Sequence, residues 1–107
     1  MLESFSFPQL TYFPYAMFVN CRKLSKNIYF SSVLTGAIND YAFQRCITMS
    51  KVFFTVKPQS MYYNTFREDY NITDIYVPWA NGALGSAPWS ATNAVIHYDT
   101  VYNEEPT

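Results

Sequence analysis

The residues of this 107-residue sequence whose types could do chemistry are few, and the first is His97, the only histidine. Asp99 follows it within Ala-Val-Ile-His-Tyr-Asp-Thr-Val-Tyr. In an extended strand residues two apart share a face, so this carboxylate could orient the imidazole for general base catalysis. The chemistry still needs a nucleophile, and the sequence has no Gly-x-Ser-x-Gly elbow or comparable activated Ser or Cys. A polar pair on a half-solvated strand is the plainer reading, and no catalytic residue is assigned.

Metal chemistry is equally thin. Glu68, Asp69 and Asp74 form a small acidic group in a loop-like region, where oxygen-rich loops can hold Ca²⁺, but their spacing matches no EF-hand and a solvated loop accounts for them. Cys21 and Cys46 lack a second ligand pair, which excludes a compact zinc motif. Two buried free thiols are expected, with a disulfide as the alternative. No metal ligand and no cofactor are assigned. Asn71-Ile72-Thr73 matches the glycosylation sequon, a tripeptide frequent by chance. Arg22, Lys23 and Lys26 could make a local phosphate contact but are too few to package a genome.

Seven basic residues against eight acidic give a net charge of −1, which disfavours nucleic-acid binding by this chain alone. No apolar run reaches the roughly 20 residues needed to span a bilayer, and nothing after Met1 reads as a signal peptide, so the chain reads as soluble and unprocessed, with no membrane partner. Hydrophobic residues make up 50% and charged residues 14%, a composition that builds a core rather than a disordered chain. Ten Tyr and nine Phe suit a subunit that hides surface against neighbours. One β-rich domain over residues 1–107, or a fragment of a larger domain, is expected.

The element that must position these residues is 51–58, Lys-Val-Phe-Phe-Thr-Val-Lys-Pro. Its alternation puts Val52, Phe54 and Val56 on one face, and Pro58 ends the ladder for want of an N–H. Burial of each of the three is worth roughly 1.5–3 kcal/mol, which places them in the core. A strand is also expected at 15–20, an apolar piece at 28–30, and a strand at 72–77. Ser31 or Ser32 could cap a helix over 33–45, where Leu34, Ala37, Ile38, Tyr41 and Ala42 recur at helical spacing, although Gly36 weakens it. The last strand, 94–102, adds Ile96 and Tyr98 to the core. Between these strands, Pro78-Trp79 and Pro88-Trp89 bracket Gly82 and Gly85, and Asn81-Gly82 signals a turn. Trp79, Trp89, Tyr62 and Tyr63 are the candidate loop or intersubunit contacts. No internal repeat is read from the sequence.

The order of elements resembles the first part of the coat protein of circovirus-like, Rep-encoding single-stranded DNA viruses and related small icosahedral viruses. The resemblance rests on a short helix at about 33–41, an aromatic segment with Tyr41 and Phe43, the strand 49–58, a long loop at 59–93, and the strand containing Asp99. It implies a mainly β fold, an antiparallel sandwich like part of a viral jelly roll with one short helix. It also implies a structural capsid subunit that self-assembles in the virion with copies of itself or other coat-protein chains. Two departures stand out: there is no Arg-rich arm for the genome, and fewer strands than the eight of a jelly roll. The alternative is a small β-rich binding or accessory module, soluble and intracellular, that recognises a partner through the Pro-Trp loop at 78–90.

Overall fold

Seven short strands are separated by turns in the computed structural model, which describes residues 4–7, 11–21, 26–30 and 34–100. They are β1 (Ser4–Phe7), β2 (Asn27–Phe30), β3 (Ala37–Ile38), β4 (Lys51–Phe54), β5 (Ser60–Met61), β6 (Asp74–Tyr76) and β7 (Val95–His97). Five of them form one sheet in the order β1-β2-β4-β6-β7, and every pair is parallel. Ser4, Asn27, Lys51, Asp74 and Val95 stand opposite one another, so the chain returns to the same place about every 23 residues. Parallel neighbours cannot be joined by a hairpin, so the chain must travel round the molecule between strands.

The return path is itself layered. A second parallel ladder pairs β3 with β5, and Phe13 bridges to Ile38. A third side consists of turns that hydrogen-bond from coil to coil. Ala16, Phe18 and Asn20 donate N–H bonds to the carbonyls of Asp40, Ala42 and Gln44, and Tyr41, Phe43 and Arg45 donate to those of Asn64, Thr65 and Arg67. Left-handed backbone recurs at matching places in these turns, at Ala16 and Tyr41 and again at Asn20, Arg45 and Glu68. The architecture is a solenoid in which each coil packs on its neighbours.

The core is the inside of this coil. From the large sheet Ile28, Phe30, Val52, Phe54 and Ile75 point inward and are buried, and they share one core with Phe13, Ile38 and Met61 from the second ladder and with Leu34 just before it. Successive coils repeat the same inward side chains. Phe18 stacks on Phe43 with ring centroids 5.3 Å apart, Phe43 lies 5.9 Å from Phe66, and Phe30 stacks on Phe54 at 4.6 Å.

Gly36 is required by this stacking: a Cβ there would stand 2.8 Å from the carbonyl oxygen of Thr11, which accepts the Gly36 N–H. A backbone atom cannot yield as a side chain can. Gly36→Ala is therefore expected to destabilise the chain by about 1–3 kcal/mol, read as a lower urea midpoint; an unchanged midpoint would show that the two coils can separate at no cost.

Several sequence expectations change. The strands pair parallel, not as an antiparallel sandwich, because in-register stacking of coils sets the neighbours. No helix occurs among the described residues; the apolar residues at helical spacing in 33–45 turn inward from β3 and the corner after it, and left-handed φ at Tyr41 and Arg45 is incompatible with a helix. Residues 15–20 are turn rather than strand, and the strands expected at 51–58, 72–77 and 94–102 are confined to β4, β6 and β7. The candidate caps Ser31 and Ser32, the basic residues Arg22 and Lys23, and the end of the last expected strand at 101–102 lie outside the described residues.

Candidate functional site on the outer face of the sheet

In-register parallel strands put equivalent residues about 4.8 Å apart, so an outward aromatic in each coil must meet its counterpart in the next. On the outer face of the large sheet Tyr29, Phe53, Tyr76 and His97 occupy equivalent positions. Their rings stack in an unbroken ladder: Tyr29 on Phe53 at 4.5 Å, Phe53 on Tyr76 at 4.8 Å, and Tyr76 on His97 at 4.4 Å, all within 11° of parallel. Because the ring faces are turned toward each other, the half-buried Phe53, Tyr76 and His97 present ring edges outward, while Tyr29 at the end of the ladder is buried at 8% exposure.

Beside it runs a polar row of Asn27, Lys51 and Asp74, closed by the exposed Val95. Asp74 and His97 join the two rows, with Nε2 2.8 Å from Oδ1. An ionised carboxylate can only accept, so Nε2 carries the proton. Thr73 Oγ1 donates to the other oxygen at 2.8 Å. The His97 hydrogen bond, then that of Thr73, hold the Asp74 carboxyl below its usual range, with Lys51 adding to the effect. A lowered carboxyl pKa stabilises the fold above the unfolded value near 3.8 and loses that contribution as pH falls through the folded value. The pair is accessible to solvent, so its share of stability is small.

The structure places the residues singled out from sequence as follows. Val52 and Phe54 are fully buried, Val56 is half-buried beyond the end of β4, and Ile96 and Tyr98 are half-buried against the core. Tyr62 and Tyr63 are exposed. Trp79 and Trp89, expected at contacts, are instead 6% and 0% exposed. Trp89 fills the coil interior where the turn column of Phe18, Phe43 and Phe66 continues, and its carbonyl accepts the Phe66 N–H. The two tryptophans anchor the Pro-Trp loop from inside.

The acidic residues do not converge. Glu68 Oε1 accepts from Gln44 Nε2 at 2.9 Å, Asp74 belongs to His97, and Asp69 is buried; no metal-holding group of three occurs among the described residues. His97 pairs with Asp74 of the preceding coil rather than with Asp99, whose backbone is left-handed at φ 55°. Both cysteines are free, Cys46 buried and Cys21 half-buried. Burial, then the Asp69 charge, push the Cys46 thiol up to about 12, so it is unreactive.

Sequence reasoning missed Tyr29, Phe53 and Tyr76 as a unit. The available signal was a recurring phrase: Phe18 three residues before Cys21, Phe43 three before Cys46, and Phe66 three before Asp69.

A ladder of equivalent residues on a parallel-coiled sheet defines a repeat protein whose coils add up to one extended surface. Residues 1–95 match the family model described as BspA type leucine-rich repeat region (6 copies), and the chain belongs to that family. Neither the curated proteins nor the solved structures contain a match. Membership overturns the coat-protein resemblance, and with it the jelly roll, the capsid-subunit function, assembly in a virion and the absence of an internal repeat. The shared order of short strands had suggested a sandwich because strand order alone does not encode whether neighbours run parallel. Leucine-rich repeats generally mediate protein–protein interactions, which fits a module with protein partners. No helix of the described residues is long and apolar enough to cross a membrane.

Proposed function

We propose that this chain is a protein-interaction module, not an enzyme, and that it meets its partner on the outer face of the five-stranded sheet. The aromatic ladder of Tyr29, Phe53, Tyr76 and His97 carries this reading. Each ring is held by its neighbours before a partner arrives, so little side-chain entropy remains to be lost on binding. The outward edges are the positive rim of each ring and suit carbonyl oxygens and apolar side chains of a protein surface, whereas a sugar would need a free ring face. Lys51 and Asp74 flank the ladder with opposite charges and would fix the partner's orientation. His97 has its Nε2 engaged by Asp74 and its ring packed on Tyr76, a structural setting rather than that of a mobile base.

A second surface is the tip of the Pro-Trp loop, where residues 80–83 and 85–88 are exposed above the two buried tryptophans. A photo-cross-linking amino acid placed at Tyr76 or at Asn81 separates the two. Cross-links to one protein from position 76, abolished by Phe53→Lys on the neighbouring strand, are the expected result. Cross-links from position 81 alone would move the contact to the loop and overturn the sheet-face reading.

A further inference from the structure

The position three residues after the turn phenylalanine holds Cys21 in one coil, Cys46 in the next and Asp69 in the one after. We propose that Cys21 and Cys46 are a cross-linking site, whose two thiols join as a disulfide that ties neighbouring coils together when the chain folds in an oxidising compartment. Both are free thiols in this structure. The site is separate from the sheet face and does not depend on what that face binds.

Coil stacking sets the distance. Phe18 and Asn20 donate N–H bonds to the carbonyls of Ala42 and Gln44, and the rings of Phe18 and Phe43 stack at 5.3 Å. In that parallel register Cys21 stands opposite Cys46. Directly opposed residues on stacked chains have Cα atoms about 5 Å apart, inside the roughly 4.4–6.8 Å that a disulfide spans. Side-chain direction agrees. Cys46 Sγ donates at 2.9 Å to the Phe18 carbonyl, the same oxygen that accepts the Cys21 N–H at 3.1 Å. The sulfur of Cys46 thus already reaches across to the coil of Cys21. Asp69 reaches back in the same way, its Oδ1 accepting the Cys46 N–H at 2.6 Å. Cys21 is half-buried and packs against the same core. Oxidation strands no buried acceptor, because the Phe18 carbonyl keeps the Cys21 N–H when Cys46 loses its S–H.

The bond must form before the column closes. Burial, then the Asp69 charge, hold the Cys46 thiol protonated in the folded chain, whereas thiols of an unfolded chain titrate near about 8.5. During folding one cysteine thiolate attacks a small-molecule disulfide such as oxidised glutathione, which gives a mixed disulfide and expels one glutathione thiolate. The second cysteine thiolate then attacks the protein sulfur of that mixed disulfide, forms the Cys21–Cys46 bond and expels the other glutathione. The two protons given up by the cysteines end on the two glutathione thiols, so the protein is oxidised by two electrons and one glutathione disulfide is reduced. Asp69 cannot take part, and the column therefore offers a single pair. Closing about one coil of chain restricts the unfolded state and raises stability.

The test refolds the full chain from urea in a buffer of oxidised and reduced glutathione and, in parallel, under excess phosphine reductant. Four results are expected of the oxidised sample: a monomer lighter by two hydrogens, no titratable thiol in urea, an amide spectrum as dispersed as that of the reduced chain, and a urea midpoint higher by about 1–2 M. The largest amide shifts between the two samples should fall at Phe18, Cys21, Phe43 and Cys46. Cys21→Ala and Cys46→Ala should each abolish the difference in midpoint between the two buffers. A bridge that lowers the midpoint or collapses the spectrum would show that the coils do not place these residues within bonding distance. Two free thiols, glutathione adducts or linked dimers persisting in the oxidising buffer would equally overturn the proposal.

Discussion

Trp89→Ala is expected to destabilise the chain by about 3–5 kcal/mol, the usual cost of deleting a large buried aromatic side chain, against a total stability that for domains of this size is about 5–15 kcal/mol. Trp89 is the largest fully buried side chain and does more than fill space. Its ring lies 6.3 Å from that of Trp79, which in turn packs edge-on against Phe54 at 5.3 Å, so it links the Pro-Trp loop to the central strand. Its Nε1–H donates to the Gly85 carbonyl at 3.0 Å, closing the loop on itself. Trp89→Phe keeps most of the volume and loses that bond, for an expected cost of about 1–2 kcal/mol. Coils of a solenoid are stabilised mainly by their neighbours, so the damage should be local. In Trp89→Ala, amide exchange should quicken first in β6 and β7 while β2 and β4 stay protected. A urea midpoint close to that of the parent chain would refute the burial of this ring.

Stability should also fall as pH rises from about 4 to about 8, and Asp69→Asn should remove that dependence. Asp69 stands where the two preceding coils carry Cys46 and Cys21, an inward position suited to a small apolar group. Its Oδ1 accepts the Cys46 N–H at 2.6 Å, while Oδ2 is buried with no partner. Burial raises the carboxyl from 3.8 to about 8, the Cys46 hydrogen bond opposes the rise, and the Glu68 charge adds to it. The native chain thus binds a proton that the unfolded chain has released throughout this window. Stability is therefore fullest below the unfolded value and is lost as pH rises through the folded one, with a slope of up to about 1.4 kcal/mol per pH unit. Asn keeps the acceptor for Cys46 and cannot ionise. Urea titrations at pH 5, 7 and 9 would check this, and parallel pH profiles for the two proteins would mean that Asp69 is not buried as described.

The central strand was legible because alternation is a local property: Val52 and Phe54 point inward in β4 as their spacing demands, and Lys51 and Phe53 point outward. The same local logic failed over 33–45. There Leu34, Ile38 and Ala42 face one interior from three directions as the chain rounds a corner, and their spacing imitates one side of a helix. It failed for the tryptophans as well, because a Pro-Trp pair beside turn residues looks the same whether its ring enters the coil or leaves it.

The candidate sites were the least legible. Tyr29, Phe53, Tyr76 and His97 are separated by whole coils of chain, as are Cys21 and Cys46. Each member has an ordinary local context. Only a repeat alignment would have joined them, and the repeat is weakly written because its inward positions accept Phe or Trp in one place and Cys or Asp in another.

The amino-acid sequence by itself determined a β-rich chain with a core strand starting at Lys51 and turning Val52 and Phe54 inward, since burial periodicity depends on residues only two apart; the end expected at Pro58 falls instead at Phe54. It also determined the supply of aromatic side chains from which the sheet-face ladder is made. Tertiary structure decided that the strands run parallel, that His97 meets Asp74 instead of Asp99, and that the aromatics form a ladder. The reason is geometric: hydrogen bonds between stacked coils set a register of about 23 residues, and that register alone chooses which distant side chains touch.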